Sequence, residues 1–250
     1  MSIDTHIDAL DTAGKALLTA AAAAGPDAEV PACPGWRVRD LLRHTTMVHR
    51  WATAFVAEGH TSYQPDGGEP DLDGDALLTY VREGHEGLVA ALRSAPADLE
   101  CWSFLPAPSP LAFWARRQAH ETTVHRADAE SALPAGPGPV DPALAADGVD
   151  ELVRAFHGRD RSRVRTEQPR LLRVRATDTG DLWSVHLSPE APRAERNADG
   201  GDGGPADCEL SGSAGELYLT LWNRLPLDAV TVAGDAGLAR LWRENSGITW

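Results

Sequence analysis

Trp114-Ala115-Arg116-Arg117-Gln118-Ala119-His120-Glu121-Thr122-Thr123-Val124-His125-Arg126-Ala127-Asp128 is the stretch on which the fold of this 250-residue chain turns. It reads as the middle of a helix running from about Leu111 to Ala132. Glu121 and His125 stand at i and i+4. At about 100° per residue they share one face, one turn apart. Trp114 and Asp128, seven residues before and after Glu121, lie close to that face. A carboxylate and an imidazole one turn apart can both bind one metal ion. The same spacing is common by chance, so the pair needs a third group before it means anything. His120 and His125 resemble the two histidines of a zinc-protease motif but stand five apart, roughly 140° around the helix. They cannot share a metal as that motif requires, which excludes a metalloprotease.

The third group has to come from another helix. Val38 to about Glu58 reads as one, entered through the loop Val30-Pro31-Ala32-Cys33-Pro34-Gly35-Trp36, and it offers His44 and His49. Leu41, His44, Val48 and Trp51 fall on one face, so His44 points with the core residues, while His49 lies roughly 140° away. On spacing alone His44 reads either as a ligand held inside a bundle or as a hydrogen-bonded core histidine.

Working outward, Ile3 to Ala24 carries Ile7, Leu10, Ala13, Leu17 and Leu18 near helical spacing, and Gly25-Pro26 ends it. The stretch from His60 to Asp73 is a surface loop rich in Gly, Pro and Asp. Asp75 is read as the cap of a third helix reaching about Ser94. Past the Pro134–Pro139 break, Pro142 to His157 forms a fifth helical pattern, packed on the bundle or bridging the two halves. The pattern then changes. Leu171 to Thr177 alternates apolar and polar, Asp178-Thr179-Gly180-Asp181 signals a turn, and Trp183 to Leu187 completes a hairpin. Glu190 to Ala206 reads as a loop rich in Gly and Asp. Cys208 to Gly212 and Val230 to Val232 read as strands, Ser213 to Trp222 as a helix, and Asp235 as the cap of a last helix, Ala236 to Glu244. The expected fold class is α+β: a four-helix bundle over 1–160, then a small α/β domain over 161–250.

Composition bounds the function. The net charge of -14 repels nucleic acid and anionic membranes, so neither is expected as a partner. No apolar run is long enough to span a bilayer. Met1-Ser2-Ile3-Asp4 lacks the basic start and apolar core of a signal peptide, and the expected location is cytoplasmic. Cys33, Cys101 and Cys208 form neither a C-x-x-C pair nor an even disulfide framework, which fits reduced structural thiols. Lys15 is the only lysine, a bias that points to a high-GC genome.

Several short strings together resemble one family. Val30-Pro31-Ala32-Cys33-Pro34-Gly35-Trp36, Asp40-Leu41-Leu42-Arg43-His44 and Val48-His49-Arg50-Trp51 resemble the N-terminal domain of the mycothiol-dependent maleylpyruvate isomerase family, a DinB-like helical bundle. Glu121, His125-Arg126 and Asp128 resemble its second metal segment. Trp183, Val185, Leu210-Ser211-Gly212, Leu217, Leu219, Asn223-Arg224 and Val232-Ala233-Gly234-Asp235 resemble its sterol-carrier-like C-terminal domain.

The resemblance implies a zinc site, or one for another divalent metal, formed by His44, Glu121 and His125. Two histidines and one carboxylate leave a fourth position open. The family fills that position with mycothiol, a thiol cosubstrate held as thiolate. A thiolate can add to an electrophilic double bond, allow rotation and leave, which isomerises it, or it can displace a leaving group, which is S-transfer. The resemblance also places Arg224 where the family has an arginine between its domains; a guanidinium there could hold a carboxylate of substrate or mycothiol at two points. The expected partners are therefore a small-molecule thiol and a small electrophile, the protein being a monomer or homodimer. A different class of reading is a metal-binding regulatory or ligand-carrier module without turnover. Under that reading metal binds but no thiol-dependent reaction follows.

Overall fold

The computed structural model describes residues 1–197 and 205–248. Contacts divide the chain at the Gly138–Pro139 junction into two units. Among the described residues no helix is long and apolar enough to cross a membrane.

The first unit is a bundle of four helices: α1 (Ile3–Ala24), α2 (Val38–Glu58), α3 (Gly74–Ser94) and α4 (Pro110–Ser131). Local chemistry sets their ends. The Ser2 hydroxyl accepts from the Thr5 amide at the start of α1, and the Ser109 hydroxyl accepts from the Ala112 amide at the start of α4, with Pro110 in the first turn. The Asp40 carboxylate accepts from the Arg37 amide at the start of α2. Gly59, at φ 65°, ends α2 in a left-handed cap that a side chain would strain. The third helix starts earlier than the sequence suggested: Asp73 holds the cap position and Asp75 lies inside the first turn, where it still favours the helix dipole.

Each helix packs mainly on two others. α1 lies against α4 and α3, and α2 lies against α3 and α4, so α1 and α2 are diagonal. Leu17, Ala21, Val38, Leu41, Leu77 and Val81 are part of one apolar cluster. A second cluster is aromatic. Trp114 stacks on Phe55 at 5.1 Å and 16°, meets Trp51 edge-on at 5.4 Å, and donates its indole N–H to the Trp102 carbonyl at 2.9 Å.

Gly14 of α1 is needed for a different reason. A methyl group there would overlap the imidazole of His85 from α3. Gly14→Ala should gain about 1 kcal/mol of helix propensity and lose about 1–3 kcal/mol to overpacking. The expected result is a lower denaturation midpoint, recovered in Gly14→Ala/His85→Ala. A midpoint that rises in the single variant contradicts this packing.

The second unit holds α5 (Pro142–Asp150), which runs into a π-helical segment (Glu151–Phe156), a five-stranded sheet and two further helices. The strands are β1 (Arg170–Ala176), β2 (Leu182–Leu187), β3 (Arg193–Asn197), β4 (Cys208–Gly212) and β5 (Thr231–Gly234), in the order β3-β2-β1-β4-β5. All neighbours are antiparallel except β1 and β4. Register aligns Val174 with Trp183 on one side and Leu210 on the other, giving a buried apolar row. Helices α6 (Ala214–Leu221) and α7 (Ala236–Asn245) pack on β4, with α6 also against β1 and α7 against β5.

Two features differ from the sequence reading. The stretch Glu190 to Ala206 was expected to be a loop, yet it contains β3. That strand is Arg193-Ala194-Glu195-Arg196-Asn197, almost wholly polar and mostly exposed at the sheet edge, so no apolar alternation marks it. Residues 198–204 of the same stretch lie outside the described residues. The contact boundary also falls at 138/139 rather than 160/161, because α5 packs on α6.

His157, which follows the π-helical segment, is buried, with Nδ1 2.9 Å from the Ser162 hydroxyl and its ring 4.7 Å from Trp242. Burial pushes its pKa from 6.5 down to about 4. Below 6.5 the unfolded chain takes up a proton that the fold refuses. Stability contributed by this residue is therefore present above that pH and is lost as pH falls towards 4, about 3 kcal/mol over the window. His157→Gln should flatten the fall in stability between pH 7 and 4.5. An unchanged slope contradicts the assignment.

Candidate metal centre

Helix α4 is buried around most of its circumference. Beside Leu111, Phe113 and Val124 it buries Arg117, Gln118, His120, Glu121, Thr122, Thr123, His125 and Asp128. Buried polar groups on this scale must satisfy one another or hold something.

The structure brings His44, Glu121 and His125 together. Their candidate donor atoms lie within 4.8 Å of one another. Oε1 of Glu121 is 3.1 Å from Nε2 of His125 and 3.7 Å from Nε2 of His44. The two imidazoles meet edge to face, 5.1 Å between centroids. Donors on a tetrahedral ion with bonds of about 2.0 Å stand roughly 3.3 Å apart, close to the two separations from Glu121, 3.1 and 3.7 Å. The donor set is also right for zinc: nitrogen, nitrogen and a carboxylate oxygen.

The surrounding groups fix these donors. Nδ1 of His125 is 2.9 Å from Oδ2 of Asp128, which is fully buried. A carboxylate there orients the ring and leaves Nε2 as the donor for a metal. Nη2 of Arg117 donates to Oε2 of Glu121 at 3.3 Å. Trp36, at the end of the loop that leads into α2, lies 5.2 Å from the His44 ring. Burial opposes charge on both Glu121 and His125, but hydrogen bonds outweigh it. His125 and His44, with Arg117, hold the Glu121 carboxyl well below its usual range. Asp128 and Glu121 raise His125 to about 9.

The other histidines go elsewhere. Nε2 of His49 is 2.8 Å from the Thr122 hydroxyl, and its ring lies 5.6 Å from that of His85. Burial, then the neighbouring His85, pushes its pKa down to about 3, so it is neutral. His120 is turned towards α1, where its ring meets His6 at 6.0 Å.

Arg224 belongs to the second unit, just past α6. Asn223 before it takes a left-handed conformation (φ 63°) and donates from Nδ2 to the Arg243 carbonyl at 3.0 Å. Nη1 of Arg224 donates to the Trp222 carbonyl at 2.8 Å, and the residue is half-buried. Arg117 and Thr122 were not singled out from the sequence. The i, i+4 spacing of Arg117 to Glu121 was the available signal for the first.

Comparison with known proteins agrees with this architecture. Residues 7–130 match the mycothiol maleylpyruvate isomerase N-terminal domain, and residues 143–241 match the C-terminal domain of the same family. Two solved structures of a mycothiol-dependent maleylpyruvate isomerase, one of them a point mutant, share the fold. Their TM-scores are 0.64 and 0.63 at 13% sequence identity, over 93% of this chain and 93% of theirs. No curated protein matches the chain. Both family domains are present, in order, one in each compact unit, and the chain belongs to the mycothiol-dependent maleylpyruvate isomerase family.

Proposed function

We propose that this protein is a metal-dependent enzyme that uses mycothiol to isomerise a small electrophilic substrate of the maleylpyruvate type, with His44, Glu121 and His125 holding zinc. The observation that carries the reading is the convergence of three donor atoms within 4.8 Å inside a buried helix pair, backed by Asp128 on the far nitrogen of His125. When bound, zinc lowers the pKa of a coordinating thiol and keeps it as thiolate near neutral pH.

The chain's own residues supply the rest. Asp128 engages Nδ1 of His125 and so aims its Nε2 at Glu121 and at a bound metal. Trp36 shields one side of His44. Arg224 is assigned, from the family resemblance, to carboxylate binding, since a guanidinium can hold a carboxylate at two points. The thiolate adds to one alkene carbon, the resulting single bond rotates, and expulsion of the same thiolate restores the double bond in the other geometry. Thiol is neither consumed nor oxidised.

The test is turnover of a cis-configured unsaturated keto acid such as maleylpyruvate by the zinc-loaded protein, with and without mycothiol. The expected result is mycothiol-dependent isomerisation with the thiol recovered in full. Stoichiometric loss of thiol with formation of a thioether moves the assignment to S-transfer. Zinc binding without turnover of either kind overturns the catalytic reading in favour of a metal-binding module.

A further inference from the structure

Arg117 is a charge buried in the centre of the bundle, with 1% of its side chain exposed. Arginine does not shed its proton, so burial there requires an anionic or polar partner. One turn along α4, the two oxygens of Glu121 have different neighbours. Oε1 faces both histidines, while Oε2 accepts from Nη2 of Arg117. A carboxylate whose second oxygen is engaged by a guanidinium has one oxygen left for a metal. If both oxygens bound, the second would occupy coordination space that an incoming thiol needs.

We infer that Arg117 is a positioning residue that restricts Glu121 to single-oxygen ligation and so keeps one position on the metal open for the thiol. The inference rests on the metal reading above. Arg117 touches neither thiol nor substrate in this scheme; it acts through Glu121.

Two measurements separate the possibilities. The first is a crystal structure of the zinc-loaded wild-type protein. One Glu121 oxygen on zinc, with the other still on Arg117, is the expected result. Both oxygens on zinc overturns this inference alone. Absence of zinc from a protein soaked in it overturns the metal reading and this inference with it. The second uses cobalt(II) in place of zinc, comparing wild type with Arg117→Met and Arg117→Lys. In Arg117→Met one cobalt per chain should remain, the visible absorption should weaken as Glu121 supplies a second oxygen, and mycothiol affinity should drop about tenfold or more. Arg117→Lys, which keeps a donor and a charge, should recover much of the wild-type spectrum. A folded Arg117→Met protein with the wild-type spectrum and unchanged mycothiol affinity overturns the inference. Should that variant fail to fold, the wild-type zinc structure alone decides.

Discussion

Glu121→Ala is expected to leave the purified protein without metal, against one zinc per chain in the wild type. Glu121 is the only carboxylate of the three-donor group and the residue on which both histidines converge. Apparent zinc-binding free energies run to about 10–16 kcal/mol in sites saturated by protein ligands. Losing one of three donors should remove about 3–5 kcal/mol, a loss of 10²–10⁴-fold in affinity. The variant also strands Arg117, and breaking a buried ion pair costs about 3–5 kcal/mol. Glu121→Gln is therefore the companion variant. It keeps volume and an acceptor for Arg117 but loses the ligand charge, so it should stay folded and still bind metal poorly. Metal analysis after dialysis, alongside circular dichroism, separates the two effects. Full zinc occupancy in a folded Glu121→Ala protein contradicts the site.

The second large effect is expected at Trp114. Its side chain has no exposed surface, stacks on Phe55, meets Trp51 and Phe113, and donates to the Trp102 carbonyl. Trp114→Ala opens a cavity and orphans that carbonyl, and truncations of this kind cost about 3–5 kcal/mol. Denaturant unfolding of the bundle should show a much lower midpoint with a similar slope. Trp114→Phe retains most of the aromatic packing and loses chiefly the hydrogen bond, so its cost should be nearer 1–2 kcal/mol. Trp114 lies two turns before Glu121 on α4. Zinc stoichiometry should survive in both variants, since no donor is touched. A change of less than about 1 kcal/mol in Trp114→Ala contradicts the packing.

The bundle was legible in the sequence where apolar periodicity met a clear stop. Val38 to Glu58 has one apolar face and a glycine after it, and the helix occupies those residues. Helix α4 was legible in position but not in environment. Its buried surface is as much polar as apolar, so a hydrophobic stripe could not announce that it lies at the centre. Helical phase put His44 with the core residues and His49 away from them, but the buried face of α2 runs through Leu41, Leu42, Thr45, His49 and Ala52, so His49 is the more deeply buried of the two; their partners differ as well, Glu121 for His44 and Thr122 for His49. Arg117 was missed because an arginine four residues from a glutamate usually lies on a solvated face.

In the second unit, the hairpin of β1 and β2 was legible from alternation and a turn containing Gly180. Strand β3 was not, because an exposed polar edge needs no apolar residues. The π-helical segment after α5 was not legible either. Glu151-Leu152-Val153-Arg154-Ala155-Phe156 suits an α-helix equally well by propensity, and the wider turn is a product of packing.

The most direct test of a metal centre that serves a thiol is calorimetric titration of mycothiol into zinc-loaded and metal-free wild-type protein at neutral pH. Binding of one mycothiol per chain to the zinc-loaded protein, absent or at least about 100-fold weaker without metal, is the result this account predicts. Equal binding to both forms would contradict it: mycothiol would then be recognised without the metal, and His44, Glu121 and His125 would return to being a buried polar cluster of the bundle.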